Sequence, residues 1–340
     1  MTSLPLIDTC PKRMEYGPCG GVGFDGSCEI DAAHRCAFLH RPTVPWTGVD
    51  RSSVPASGPR TAAAADTLAS LGTRPWVVAD LPARALSVAS IDACAAVLAG
   101  EVDAVLAGDA GSARVQFPPA YRAHLLHQRG LRVWTGLNMR DRNRVAIEGE
   151  LAALAVEGVA GVHCVTGDHT RTGHRPDAVP VFDLDSTEAA SLARAAGHVV
   201  SVAASPAAPP VERRAARLRE KLRAGADVCF VNHAGGAAPV REFIEEVGAP
   251  AAFIPCVPLV VDHASAALLE SFTTLVLPDG FLSRVRGAAD PRAEGIALAV
   301  ALAEEMLALP GVVGVNLSGG REGAEESFAE AMAEVARRLR

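Results

Sequence analysis

The chain has 340 residues, 49% of them hydrophobic and only 4% aromatic, with a formal net charge of −7. That is room for one large domain and a small appendage, with a core built mainly from Ala, Val and Leu. The acidic balance argues against a general basic surface for nucleic acid. The lack of any apolar run of about 18 residues argues against a transmembrane helix, so no membrane partner is expected. The first residues, Met1 to Asp8, have no basic stretch and do not read as a signal peptide. The expected compartment is the cytoplasm, where disulfides are rare.

Residues 1–46 form a cysteine- and glycine-rich unit with little helical periodicity. It carries Cys10, Cys19, Cys28 and Cys36. Four thiolates can complete a tetrahedral zinc site or hold a [4Fe–4S] cluster. Gly17, Gly20, Gly21, Gly23 and Gly26 permit tight turns that bring backbone amides close to sulfur. His34 or His40 is an alternative ligand, and two disulfides are the competing structural reading. Residues 47–68, rich in Ser, Pro, Ala and Thr, read as a linker or strap, with a short helix finishing near Leu68 to Arg74.

From residue 69 to 340 the pattern changes. Eight short apolar runs alternate with longer Ala-rich stretches: Trp76–Asp80, Ala104–Gly108, Arg132–Leu137, Gly161–Thr166, Val199–Ala204, Val228–Asn232, Ala251–Pro255 and Val312–Leu317. Continuous apolar runs suit parallel strands buried on both faces. The intervening stretches suit amphipathic helices: Ile147, Leu151, Leu154 and Ala155 fall on one face. Eight such units over this length predict an α/β fold, a (β/α)₈ barrel preceded by the cysteine module. An open doubly wound sheet lacks its main signal, because no strand is followed by G-x-G-x-x-G. Cys164, Cys229 and Cys256 lie within or beside these apolar runs and read as buried thiols.

In a barrel of this kind the active site lies where the strands end. The polar residues there are Asp80, Asp109, Asn138 with Arg140 and Asp141, Thr166 with Asp168 and His169, Ser205, Asn232 with His233, and Asn316 with Ser318. Turns and helix caps use the same residue types. Arg214, Arg217 and Lys221 recur at helical spacing and suit either a phosphate or a solvated helix face.

Two sets of residues carry a resemblance. Cys10-Pro11-Lys12, then Gly17-Pro18-Cys19-Gly20-Gly21, Cys28-Glu29 and Cys36, resembles the cysteine-rich module called the methylenetetrahydrofolate reductase C-terminal domain. Within the barrel, Leu137-Asn138-Met139-Arg140-Asp141-Arg142-Asn143 resembles the Leu-Thr-Cys-Arg-Asp-Arg-Asn block of methylenetetrahydrofolate reductases. Thr166-Gly167-Asp168, Ala203-Ala204-Ser205-Pro206 and the stretch from Lys221 to Asn232 resemble later blocks, in the same order.

The resemblance implies a one-carbon enzyme that binds reduced folate and uses NAD(P)H to reduce 5,10-methylenetetrahydrofolate to 5-methyltetrahydrofolate. It implies a flavin, FAD or FMN, across the barrel mouth. By the same resemblance Asp168 helps stabilise positive charge on the folate, and Asn232, with Asn138 and Ser205, contacts substrate. Lys221 and Arg217, with Thr166 and Gly167, would hold cofactor. The family's general acid is a Glu on the first strand; that position falls on Ala79 here, and Asp80, one residue along, is the substitute only if a bulge re-aims it. A folate-dependent methyl or one-carbon transferase, or a non-catalytic metal-containing subunit docked on a partner reductase or methyltransferase, are the alternatives. Homo-oligomers are common among such barrels.

Overall fold

The computed structural model describes residues 10–48, 59–109, 111–272 and 274–340. The eight apolar runs become eight strands, displaced from expectation by at most a few residues. They are β3 (Trp76–Asp80), β4 (Ala104–Ala107), β5 (Val133–Asn138), β6 (Gly161–Val165), β7 (Val200–Ala204), β8 (Val228–Val231), β9 (Ala252–Pro258) and β10 (Gly314–Ser318). They pair in parallel in chain order, and β10 returns to pair with β3, so the sheet closes into a barrel. The preceding short strands, β1 (Ser27–Cys28) and β2 (Asp31–Arg35), form an antiparallel hairpin in the cysteine module.

Helices follow the barrel strands in turn: α2 (Val88–Leu98), α3 (Pro119–His127), α4 (Arg144–Glu157), α5 (Ser186–Ala195), α6 (Arg214–Arg223) and α7 (Ala237–Val247). After β9 come α8 (His263–Glu270), α9 (Phe281–Gly287) and α10 (Pro291–Leu307), and α11 (Glu325–Arg338) ends the ring by packing against α2. No helix among the described residues is long and apolar enough to cross a membrane.

Side chains alternate across each strand, so one set faces the helices and the other the lumen. Val77, Ala79, Val105, Leu137, Val202, Cys229 and Leu317 join the helical layer in the main core. Trp76, Val78, Trp134, Val228, Phe230 and Ile254 form a separate cluster that fills the lower lumen. Its aromatic rings meet edge to face, the Trp134 ring centroid lying 6.2 Å from that of Trp76 and 5.3 Å from that of Phe230.

Helix α1 (Ala62–Leu71) closes the N-terminal end of the barrel. Ala64 and Leu71 are buried in the lower-lumen cluster. Thr61 caps the helix by accepting from the Ala64 amide at 3.1 Å, and its own amide donates to the Gly197 carbonyl at 3.0 Å. Arg60 is fastened to Asp227, whose carboxylate also accepts from the Val200 amide at 2.9 Å. Residues 59–68, expected in a strap, therefore include a helix that belongs structurally to the barrel; the part of the strap at 49–58 lies outside the described residues.

Trp134 is fully buried, and its indole N–H donates to Ser201 Oγ at 2.8 Å. Trp134→Ala is expected to lower the unfolding free energy by about 3–5 kcal/mol, measured by denaturant titration.

Candidate active site at the barrel mouth

The lumen changes character from bottom to top. Above the aromatic cluster, the same inward parity presents Asp80, Asn138, Asn232, Cys256 and Ser318, with Asn316 one layer lower, level with Val78. A wet ring sits on a dry floor, the arrangement a polar ligand at the mouth requires.

Asp80 occupies an inward position by ordinary alternation. Its strand pairs without irregularity, Val78 to Ala104, Ala79 to Val105 and Asp80 to Leu106. Val78 belongs to the lumen cluster and Ala79 to the outer core, so Asp80 faces the lumen and needs no bulge. Asn316 Nδ2 donates to its carboxylate at 2.9 Å. Burial pushes the Asp80 carboxyl above its usual range, and hydrogen bonds from Asn316 and Ser318 oppose this only in part. Asn316 Oδ1 is buried with no partner, as is Nδ1 of His233. Asn316 thus leaves an unspent polar atom at an inward position.

A second group stands across the mouth. Arg140, with no exposed surface, grips Asp141 with two bonds of 2.7 Å and Asp109 at 2.8 Å, and reaches the Asp168 carbonyl at 3.3 Å. Asn138 donates to Asp109 at 3.1 Å. Gly167, at φ +87°, lets the next loop pass close to Asn138: an added Cβ would lie 3.0 Å from the Asn138 Cβ. This network holds Asp168 at the rim, its side chain 62% exposed and 3.8 Å from Arg114. Asn232 donates to Ser205 Oγ at 2.8 Å on the far side. Thr166 is buried, and its Oγ accepts from the Ser186 amide at 3.3 Å.

The cysteine module sits on this mouth over the segments that follow β6 and β7. Arg214 donates to the Cys19 carbonyl at 2.8 Å, and Arg213 to that of Phe38 at 2.7 Å. The Trp46 amide donates to Glu220 at 2.6 Å. Gly20 presses so close that an added Cβ would lie 2.7 Å from Ser205 Oγ. Lys12 pairs with Glu29 in the module, and Glu29 accepts from the His169 amide at 3.4 Å.

The docked module determines what Arg217 and Lys221 do. Both are buried. Arg217 pairs with Asp185 at 3.0 Å and donates to Thr187 Oγ. Burial alone would raise the Asp185 carboxyl, but Arg217 and the Thr187 amide hold it below its usual range. Lys221 Nζ donates to the Ala203 carbonyl at 2.7 Å, and burial beside Arg217 pushes it down to about 7. Sequence spacing suits these cations to either a phosphate or a solvated helix face. In the fold they are spent on internal acceptors beneath the module, so this set does not fit a flavin phosphate.

All four module cysteines, none in a disulfide, line one pocket of about 410 Å³ together with Lys12, Met14 and Phe38. Met14 and Phe38 pack against Cys10, Cys19 and Cys36, and burial pushes the Cys10 thiol up to about 11. Among the described residues no three His, Cys, Asp or Glu side chains form a ready metal-binding group. The donor set is nonetheless chemically suited to a thiophilic group, since four thiols share one largely apolar recess. His34 also lines it.

The fold and site thus define a parallel (β/α)₈ barrel whose polar mouth is partly roofed by a four-cysteine module. Residues 2–42 match the family model described as methylene-tetrahydrofolate reductase C terminal. A similar solved structure is an uncharacterised protein from Clostridium thermocellum that binds two copies of 5-methyl-5,6,7,8-tetrahydrofolic acid. It is 10% identical, with 80% of this chain and 99% of that chain covered at a TM-score of 0.57. A 2,3-dimethylmalate lyase (19% identity, 65% and 81% covered, TM-score 0.44) and an oxaloacetate acetylhydrolase (12%, 77% and 82%, 0.46) are also similar. No curated protein matches the chain.

Asn138, Ser205, Asn232 and Asp168 lie at the mouth, and Asp80 joins them by regular strand pairing, without the bulge that its offset from Ala79 called for. Asn316, named among the polar strand ends, lies against Asp80; Cys256, read as a buried thiol, was outside that set although it shares inward parity with Ile254. Lys12 and Glu29 gave no parity signal, since only docking brings them to the rim.

Two buried imidazoles set an acid limit on the fold. Burial pushes His163 down to about 3 and His233 to about 4, from the usual 6.5. The unfolded chain therefore takes up protons below about pH 6.5 that the folded chain refuses until about pH 4 and below. Stability is expected to be flat in these groups above pH 6.5 and to fall as pH drops towards 4. In denaturant titrations across this range, His233→Gln should flatten part of the slope; an unchanged slope would contradict the assignment.

Proposed function

We propose that this protein is a one-carbon enzyme that binds a reduced folate at the barrel mouth. The observation that carries the reading is the joining, in one chain, of a module matching the methylene-tetrahydrofolate reductase C-terminal model to a barrel with a lumen-facing carboxyl at its mouth. The barrel's likeness to a protein that binds 5-methyltetrahydrofolic acid supports the same substrate class.

The reaction we favour is reduction of 5,10-methylenetetrahydrofolate to 5-methyltetrahydrofolate, with NAD(P)H as hydride source. In balance, the bond from the methylene carbon to N10 breaks, N10 gains a proton, and the carbon gains a hydride. Asp80 is the acid: burial favours its neutral form, which is the form able to protonate N10. Asn316 orients the carboxyl. Asp168, exposed on the rim, places negative charge where the folate becomes an iminium cation. Asn232 and Asn138 offer amides to the ring edge. No step is assigned to flavin, because Lys221 and Arg217 are committed elsewhere.

That commitment favours a second reading, in which the same folate site serves methyl transfer to an acceptor or a partner reductase subunit. In either reading Cys10, Cys19, Cys28 and Cys36 hold the module's metal group. Zinc would supply a structural crosslink, and a [4Fe–4S] cluster would supply electron transfer.

Asp80→Asn is expected to lower NAD(P)H-dependent turnover by about 10²–10⁴-fold while equilibrium binding of 5-methyltetrahydrofolate changes little. Folate binding without turnover in the wild type would move the assignment to the second reading, and no folate binding would sink both. Metal analysis of the chain purified without oxygen should find zinc or iron, lost in Cys19→Ser; a metal-free wild type would remove the metal assignment.

A further inference from the structure

A cleft outside the described site lies between the loops that follow β3 and β4. Its empty space, open solvent at the entrance included, is about 310 Å³, and it is lined by Leu81, Arg84, Leu86, Gln116, Phe117 and Arg122, among others. Arg122, in the first turn of α3, is only 8% exposed. Its guanidinium meets neutral acceptors: the Gly108 carbonyl at 2.8 Å, Gln116 Oε1 at 2.7 Å, and the Ala107 carbonyl. Its Nε is buried with no acceptor. Asp109 is the carboxylate whose field reaches it, yet Asp109 is gripped by Arg140 and Asn138.

A buried cation whose direct contacts are all neutral dipoles is costly, and a directly bound anion offsets that cost. Three of the five guanidinium N–H groups are spent on these acceptors. The Nε–H and a neighbouring N–H remain, the fork that takes a carboxylate with two parallel bonds. The surroundings specify more than charge. Arg84, 56% exposed and 3.7 Å from Glu325, adds a second cation at the entrance. Leu81 and Phe117 give apolar walls. Leu86 is held at φ +58°, an unfavourable conformation for leucine, with its side chain 51% exposed.

We propose that this cleft is a carboxylate-binding subsite, built on Arg122, for an organic acid with an apolar or aromatic body. Leu81 directly follows Asp80, and Gly108 follows the last residue of β4, so the cleft adjoins the mouth. One ligand can therefore place its reacting head near Asp80 and its acidic end against Arg122. If the mouth holds a reduced folate, that end is its p-aminobenzoyl-glutamate tail; this identity rests on the function proposed above, whereas the carboxylate site does not.

The test is calorimetric titration of the full chain with p-aminobenzoylglutamate, benzoate, inorganic phosphate and 5-methyltetrahydrofolate. Saturable p-aminobenzoylglutamate binding is expected, weakened by about tenfold or more in Arg122→Gln. Arg122 also holds two backbone carbonyls, so Arg84→Ala and Phe117→Ala provide cleft variants that leave those bonds intact, and both should weaken binding several-fold. No saturable binding of either organic acid, or equal affinity in all three variants, overturns the subsite. Phosphate binding as tightly as benzoate overturns the apolar part of the assignment. If 5-methyltetrahydrofolate binds equally well in the variants, the folate reading stands and the tail assignment fails. If the two organic acids bind but 5-methyltetrahydrofolate does not, the subsite stands and the folate reading fails.

Discussion

Strict alternation along the barrel strands is the constraint from which the rest follows. Each closed parallel strand sends one set of side chains to the helices and the other to the lumen, and a shift of one residue exchanges the two. Val78 and Asp80 share the inner set while Ala79 joins the outer core. The same rule brings Asn316, from the last strand, to Asp80 on the first. The lumen's dry floor and polar rim are consequences of what the sequence places at inward positions, low and high.

The second organising interaction is the seating of the cysteine module. Backbone carbonyls of Cys19 and Phe38 are taken by Arg214 and Arg213, while Arg217 and Lys221 are sealed below. Cations that a barrel of this type could present to a phosphate are here used to attach a roof and stiffen α6. The seated module covers one side of the mouth.

Much of this was legible in the residues. Eight apolar runs gave eight strands because a fully buried parallel strand needs apolar side chains on both faces. The mouth residues followed from strand ends. What stayed hidden depended on tertiary placement. Assigning Ala79 to the acid position by motif alignment put Asp80 on the wrong face, because short motifs fix order along the chain but not register across a sheet. The burial of Lys221 was hidden because a helical cationic stripe looks the same whether solvent or another module covers it. Helix α1 was obscured by the Ser- and Pro-rich stretch before it, although Thr61 is an ordinary N-cap.

The scarcity of aromatic residues has an optical consequence. Of the three tryptophans, Trp76 and Trp134 are locked in the lower lumen, while Trp46 stands at the seam between module and barrel, 5.2 Å from the Tyr16 ring. The chain's native emission therefore separates into a shielded barrel component and a seam component. Lifting the roof would alter the second while leaving the first in place, so the molecule carries its own built-in indicator of whether the two parts are joined.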